Sequence, residues 1–352
     1  MWNRKLKRMG NRSKPELHSR VADWGVSFRA DNRALDCPPT TSALKQEFDF
    51  ELKEYFRLCC LARSKTADHT LAERAHATLF RVRVALERSI LNAIRNSQCS
   101  SEDRLDALFK NSFYGCSKKQ GTSLRMPLAT CTPTKLCAGG CYAHDVLDAA
   151  PNAMIRGAIN GCIAETYEQG NGAVRDDILN RLLPHTRRGV SHAMNELKRL
   201  PDGFKRRAFI RFSHVGEIVY FADFANALAN QVNSVSKGKV DCVVYTRHKN
   251  VTKLDRKNWI INFTLDPSSL ERRAWAPSYS RIVFSAFGGQ VSPLAEVNFL
   301  EHHRHSHLPK TSGVGRICPA TLPETRERSC DSCQCNRCFT QPKAQASKIL
   351  GQ

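Results

Sequence analysis

Acidic residues are scarce in this chain: 33 Asp and Glu stand against 54 Lys and Arg, and the formal net charge over 352 residues is +21. That excess favours polyanionic partners, nucleic acid foremost, through long-range electrostatics. No stretch approaches the roughly 20 consecutive apolar residues of a membrane-crossing helix, so no membrane partner is expected. The opening MWNRKLKRMGNRSKPELHSR has a basic start but lacks the apolar run of a secretory signal, and the expected compartment is the cytoplasm. Neither GxxxxGK followed by Ser or Thr nor a GxGxxG after a strand occurs, which removes the common phosphate-cradling loops. An HExxH pair is missing, as is a clear paired-carboxylate motif for a two-metal site. Gly and Pro number only 19 and 15, which excludes collagen-like repetition and wholesale disorder.

Cysteine, by contrast, is abundant at 15 residues. In a reducing compartment, cysteines clustered at spacings of two to five residues point to metal ligation rather than to disulfides, and the odd total agrees. With a length that allows one large domain with an attachment or two ordinary ones, the expectation is a folded metalloprotein that works near nucleic acid.

Residues 1–43 mix turn formers with Arg4, Lys5, Lys7, Arg8, Arg12 and Lys14 and read as a basic arm able to track phosphates; a solvated terminus is the plainer alternative. Residues 44–115 form a helical module. One helix is expected over 44–63, and Leu79, Val82, Leu86, Ile90 and Ala93 share the face of another. Ser100 and Asp103 mark the start of a third. Cys59, Cys60 and Cys99 are expected to pack as small hydrophobes. Residues 116–300 form an α/β core. RAFIRFS, KVDCVVYT, NWIINFTL and RIVFSAF read as four buried strands, EIVYFADFANALANQVNS as a crossover helix, and residues 266–275 as a shorter one. The economical architecture is a parallel sheet, open or partial-barrel-like, with functional loops at the carboxyl ends of its strands. Residues 301–352 show little periodicity and form a Cys/His-rich tail expected to be organised by metal.

Cys131, Cys137 and Cys141 are separated by five and three intervening residues in CTPTKLCAGGCYAHD. The spacing and the intervening Pro133, Gly139 and Gly140 predict a bent loop that brings the thiols together. Three cysteines either recruit a fourth ligand, such as His144, around zinc or hold an iron-sulfur cluster with an open position. In the tail, Cys318, Cys330, Cys333 and Cys338 make a four-ligand set with Cys335 to spare, for zinc or for an iron-sulfur cluster. Arg316, Arg326, Arg328 and Arg337 beside them are candidate phosphate contacts.

The cysteine loop, followed by strands with polar ends, resembles radical S-adenosylmethionine enzymes, whose three-cysteine loop holds a 4Fe-4S cluster. The family spacing is three and then two residues, with an aromatic before the last cysteine; here Tyr142 follows it. RFSHVGEIVYFADF resembles the family's second-strand region, and the resemblance implies that Gly216 and Glu217 hold the amino group of S-adenosylmethionine. Tyr142 is implied as a further cofactor contact. The chain also resembles phage and plasmid proteins of the gene-eighty-eight type, through CYA, IRFSHVGEI, VVYTRHKN and the terminal cysteine group. That likeness covers roughly residues 125–340 and implies a mobile-element origin.

His302, His303, His305 and His307 read as an exposed polar loop. His214 and His248 lie at strand ends, either as proton carriers or as strand-terminating polar residues. Arg187, Arg188, Lys198, Arg199, Lys205, Arg206 and Arg207 form a basic stretch that is a solvated helix face or a phosphate-tracking surface. Two functions compete with the iron-sulfur enzyme acting on or near nucleic acid. One is a non-enzymatic, zinc-stabilised DNA- or RNA-binding protein, and the other is a metal-dependent nuclease in which Asp145, Asp148, Glu165 and Glu217 converge.

Overall fold

The computed structural model describes residues 21, 28–62, 69–110, 113–117, 121–139, 141, 143, 148–200, 207–213, 215–286, 291–300, 316–317 and 338. Among the described residues, eight strands form one sheet whose spatial order follows the chain. β1 (Tyr114–Ser117) pairs antiparallel with β2 (Gly121–Leu124). Then come β3 (Ala208–Phe212), β4 (Val240–Thr246), β5 (Trp259–Leu265), β6 (Arg281–Ala286), β7 (Val297–Leu300) and β8 (Arg316–Ile317). Every pairing from β2 onward is parallel. The chain is thus α/β with a mostly parallel sheet, and the four apolar runs are its central strands.

Alternation along those strands fills two cores. Ile210, Phe212, Cys242, Val244, Ile261, Phe263 and Phe284 join the large core with the helices. Their neighbours Phe209, Val243, Ile260, Val283 and Val297 form a second cluster that also takes in Cys338. Burial on both faces is what near-continuous apolar strands require.

The helices whose full range lies among the described residues are α1 (Thr41–Glu47), α2 (Asp49–Ala62), α3 (His69–Arg95), α4 (Ser101–Phe109), α5 (Lys135–Gly139), α6 (Pro151–Gln169), α7 (Gly172–Lys198) and α8 (Ala222–Ser236). The face expected on α3 is the buried one: Leu79, Val82, Leu86, Ile90 and Ala93 all lie in the large core. Ser100 caps α4 by accepting from the Asp103 N–H at 3.0 Å. α8 is the crossover helix between β3 and β4. It ends on Lys237 and Gly238, both at positive φ.

Three local expectations change. The single helix over 44–63 is two, because Phe48 leaves helical geometry at φ −107° while its ring sits fully buried with the Arg33 guanidinium 4.7 Å above it. The segment over 266–275 holds a 3-10 turn, Leu270–Trp275, with no buried residue to anchor a longer helix. The cysteine loop is not all loop: Cys137 lies on the single-turn helix α5.

α6 is the central helix, buried on nearly every side, with Pro151 at its first turn. At Gly161 the chain of residues 126–127 comes so close that a Cβ would lie 2.6 Å from Pro127 Cγ. α3 packs along α6, against α5 and against the 3-10 turn Leu128–Thr130. The helices therefore set the back wall of the cysteine loop.

Candidate metal centre at the carboxyl ends of the strands

Residues 126–139, with Cys141 and Ala143, lie across the ends of β3, β4 and β5, and hydrogen bonds fix them there. The Met126 N–H donates to Val215 O at 2.8 Å. Gly216 makes this approach possible: its φ is +75°, and a Cβ would meet Pro127 O at 2.5 Å. The Thr130 hydroxyl donates to Pro127 O at 2.8 Å and accepts from the Glu217 N–H at 2.8 Å. Thr134 accepts from the Cys137 N–H at 3.0 Å, which starts α5, and donates to Asp266 Oδ2 at 2.5 Å. Arg272 Nη1 donates to Thr132 O at 2.8 Å.

The opposite side is held by a buried ion pair on α3. Arg83 Nε lies 2.9 Å from Glu87 Oε1, with both side chains almost wholly buried. Arg83 Nη1 also donates to Ala143 O and to Asp148 O, and Glu87 Oε2 accepts from the Ala129 N–H at 3.3 Å. One pair thus grips the loop before its first cysteine and after its last. Desolvation makes such a pair costly unless its remaining hydrogen-bonding capacity is used, and here the loop backbone uses it.

Cys131, Cys137 and Cys141 form no disulfide and are half-buried. Cys131 and Cys141 pack against the small apolar cluster of Phe80, Leu128, Ala143 and Val215. Desolvation raises the Cys131 thiol, and the charges of Glu217, Cys141, Cys137 and Glu87 raise it further. Cys141 is pushed up to about 12 by desolvation and by Cys137, against the pull of the Ala143 N–H, Arg83 and Arg247. The three thiols therefore sense one another across a common space, with two buried guanidiniums beside them.

Beneath them, polar residues that follow three adjacent parallel strands meet, as expected of such strand ends. Glu217, Arg247 and Asp266 follow β3, β4 and β5, and all three are buried. The Thr246 hydroxyl donates to Glu217 Oε2 at 2.6 Å, and the Arg247 N–H to Oε1 at 3.3 Å. Burial outweighs these donors and lifts the Glu217 carboxyl to about 7. Arg247 Nη1 bonds Asp266 Oδ2 at 2.6 Å. Burial would raise Asp266, but Thr134, Arg247 and Ser268 together hold it below its ordinary value. His248 accepts from the Asn250 N–H at 3.1 Å, and burial with Lys249 and Lys253 lowers its pKa.

The fold thus gathers Cys131, Cys137, Cys141, Gly216 and Glu217 at one end of the sheet. Tyr142, His144, Asp145, His214, Cys318, Cys330, Cys333, Cys335 and the histidines 302–307 lie outside the described residues. Cys338 sits on the other face of the sheet, where its carbonyl accepts from Asn262 Nδ2 at 3.0 Å. Asp148 pairs with Arg125 at 2.6 Å and Glu165 with Arg95 at 2.5 Å, so these two carboxylates engage different arginines. Among the described residues, no three of His, Cys, Asp and Glu close on a point as a single-ion site.

The residues that sequence reasoning passes over are Arg83, Glu87, Thr134, Arg247 and Asp266. A signal exists for the first two: opposite charges four apart on an otherwise apolar helix face. Among the described residues, no helix is long and apolar enough to cross a membrane. Compared with family models, curated proteins and solved structures, the chain shows no match.

Proposed function

We propose that this chain is an iron-sulfur enzyme similar to radical S-adenosylmethionine proteins, acting on or near nucleic acid. The carrying observation is the clamped three-cysteine loop lying over the carboxyl ends of parallel strands, directly above a buried glutamate. The donor chemistry fits such a group: three mutually coupled thiols, an apolar wall, and Arg83 and Arg247 to offset thiolate charge. Held there, a 4Fe-4S cluster would supply the electron for reductive cleavage of S-adenosylmethionine. In this reading Cys131, Cys137 and Cys141 are the ligands, and the sequential parallel sheet is a partial barrel.

Glu217 is suited to accept the cofactor amine. Thr246 and Arg247 orient its carboxyl, and its proton affinity near neutrality lets an arriving ammonium draw out the charged form. Gly216 brings the strand end against the loop, and Tyr142 is the further cofactor contact. Cys318, Cys330, Cys333 and Cys338 hold a second metal in the tail. The net charge of +21 supplies general attraction to nucleic acid.

The test is anaerobic purification with iron, zinc and sulfide measured per chain, alongside an absorption spectrum, for wild type and Cys137→Ala. About four irons and four sulfides, lost in the variant, support the reading and lead to an assay of S-adenosylmethionine cleavage. Zinc without sulfide overturns it in favour of the zinc-stabilised nucleic-acid-binding protein.

A further inference from the structure

Large apolar side chains left in water mark interaction surfaces when they cluster. Among the described residues, Tyr220 is 53% exposed, Leu270 52% and Trp275 38%. All three occupy 3-10 turns just past β3 and β5. The turn Ile218–Tyr220 touches the turn Lys249–Lys253, which touches the turn Leu270–Trp275, so the turns that carry these side chains form one continuous rim.

The rim is basic as well as aromatic. Lys249 and Lys253 are exposed and make no ion pair among the described residues. They lower the pKa of His248, whose ring meets Tyr220 edge-on at 5.8 Å, so their charge lies beside that tyrosine. Arg272 sits 5.4 Å from the Trp275 ring centre while bonding the cysteine loop at Thr132 O. Arg273 Nη1 is buried with no hydrogen-bond acceptor among the described residues. Cations and partly exposed aromatic side chains thus share the border of the cysteine loop.

We infer that this rim binds single-stranded nucleic acid, with bases stacked on Tyr220 and Trp275 and phosphates on Lys249 and Lys253. The inference rests on the reading of the adjoining site as one that acts on nucleic acid. Its physical basis is access: an unpaired base offers its π-face to an aromatic ring, whereas a duplex keeps its faces stacked and presents phosphates. A merely basic surface would not need exposed tyrosine and tryptophan. The rim would lead a strand past the cysteine loop, which Arg272 ties to Trp275.

The test is fluorescence anisotropy on the anaerobically purified full chain, with iron and sulfide measured in the same preparation. The probes are labelled oligothymidylate and oligouridylate of about 20 nucleotides and a duplex of equal length. A single strand should bind at least about tenfold tighter than the duplex, and Tyr220→Ala and Trp275→Ala should each weaken it about tenfold, while Tyr220→Phe retains affinity. Replacing Lys249 and Lys253 together by Ala should flatten the slope of log affinity against log salt by about 1.4. Equal binding of duplex, or aromatic variants that bind like wild type, overturns the inference. The two proposals fail separately. A preparation with iron and sulfide but no single-strand binding sinks the rim and leaves the cluster, and zinc with ring-dependent binding sinks the cluster and leaves the rim.

Discussion

Thr134 and Asp266, 132 positions apart in the chain, are joined by a hydroxyl-to-carboxylate hydrogen bond of 2.5 Å. The same carboxylate oxygen takes Arg247 Nη1 at 2.6 Å. Through this one atom the cysteine loop, the end of β4 and the end of β5 are held together. The strand ends therefore help to set the loop's position.

Replacing Asp266 by Asn should leave Arg247 without its carboxylate in a buried place. Breaking a buried pair from one side costs about 3–5 kcal/mol. We expect a loss of at least about 3 kcal/mol in chemical unfolding, together with faster alkylation of Cys137 in the native state. A variant as stable as wild type would show that the Thr134–Asp266–Arg247 arrangement is not what holds the loop. In wild type, Asp266 has a depressed pKa, so its contribution is present above the unfolded carboxylate value and disappears as pH falls through the folded one.

Gly216→Ala tests the clamp from the other side. The added methyl meets Pro127 O at 2.5 Å, a backbone atom, at a φ of +75° that side chains adopt with strain. We expect destabilisation of about 2 kcal/mol or more, and a thiol-labelling rate at Cys131 and Cys141 that rises more than that of the buried core Cys242. Equal acceleration at all three would mean global rather than local loosening.

Glu217 supplies a pH signature with the opposite sign to Asp266. Its folded pKa is raised from 4.5 to about 7, so the folded state holds the proton more tightly than the unfolded chain. Stability from this group is full below about 4.5 and is lost as pH rises through about 7, a span worth on the order of 3 kcal/mol. The measurement is urea unfolding of the metal-free chain between pH 4.5 and 8, for wild type and Glu217→Gln. Wild type should lose stability relative to the variant as pH rises, and parallel curves would show that Glu217 is not held up by burial.

How much of this was legible in the sequence depends on the range of the signal. Apolar runs such as RAFIRFS and KVDCVVYT announce β3 and β4 because both faces of each strand are buried. Helix α3 shows its stripe, and Ser100 its cap. β2 escapes because GTSL is four residues with little apolar character, although all four are buried. α6 carries no stripe because it is buried almost all round, so periodicity has nothing to report. At the site, the cysteines and the Gly216–Glu217 pair are visible as local spacing. Asp266 and Thr134 are not, since their meaning lies in a contact that no local window spans.

Arg83 and Glu87 offer the sharpest separation of stability from architecture. The pair is fully buried, yet its free-energy value is the difference between large Coulombic and desolvation terms. Arg83→Met alone orphans the Glu87 carboxylate and should cost about 3–5 kcal/mol. Arg83→Met combined with Glu87→Leu removes both charges and should recover most of that loss in unfolding experiments. What the double variant cannot recover is the grip on Ala143 O, Asp148 O and the Ala129 N–H. We therefore expect a stable protein whose cysteine loop labels faster with alkylating reagents and retains less metal. If the double variant matches wild type in both respects, the pair serves packing alone. If it is stable but loosened at the loop, then α3 carries a buried ion pair where apolar side chains would have packed as well, and it does so to position the three thiols.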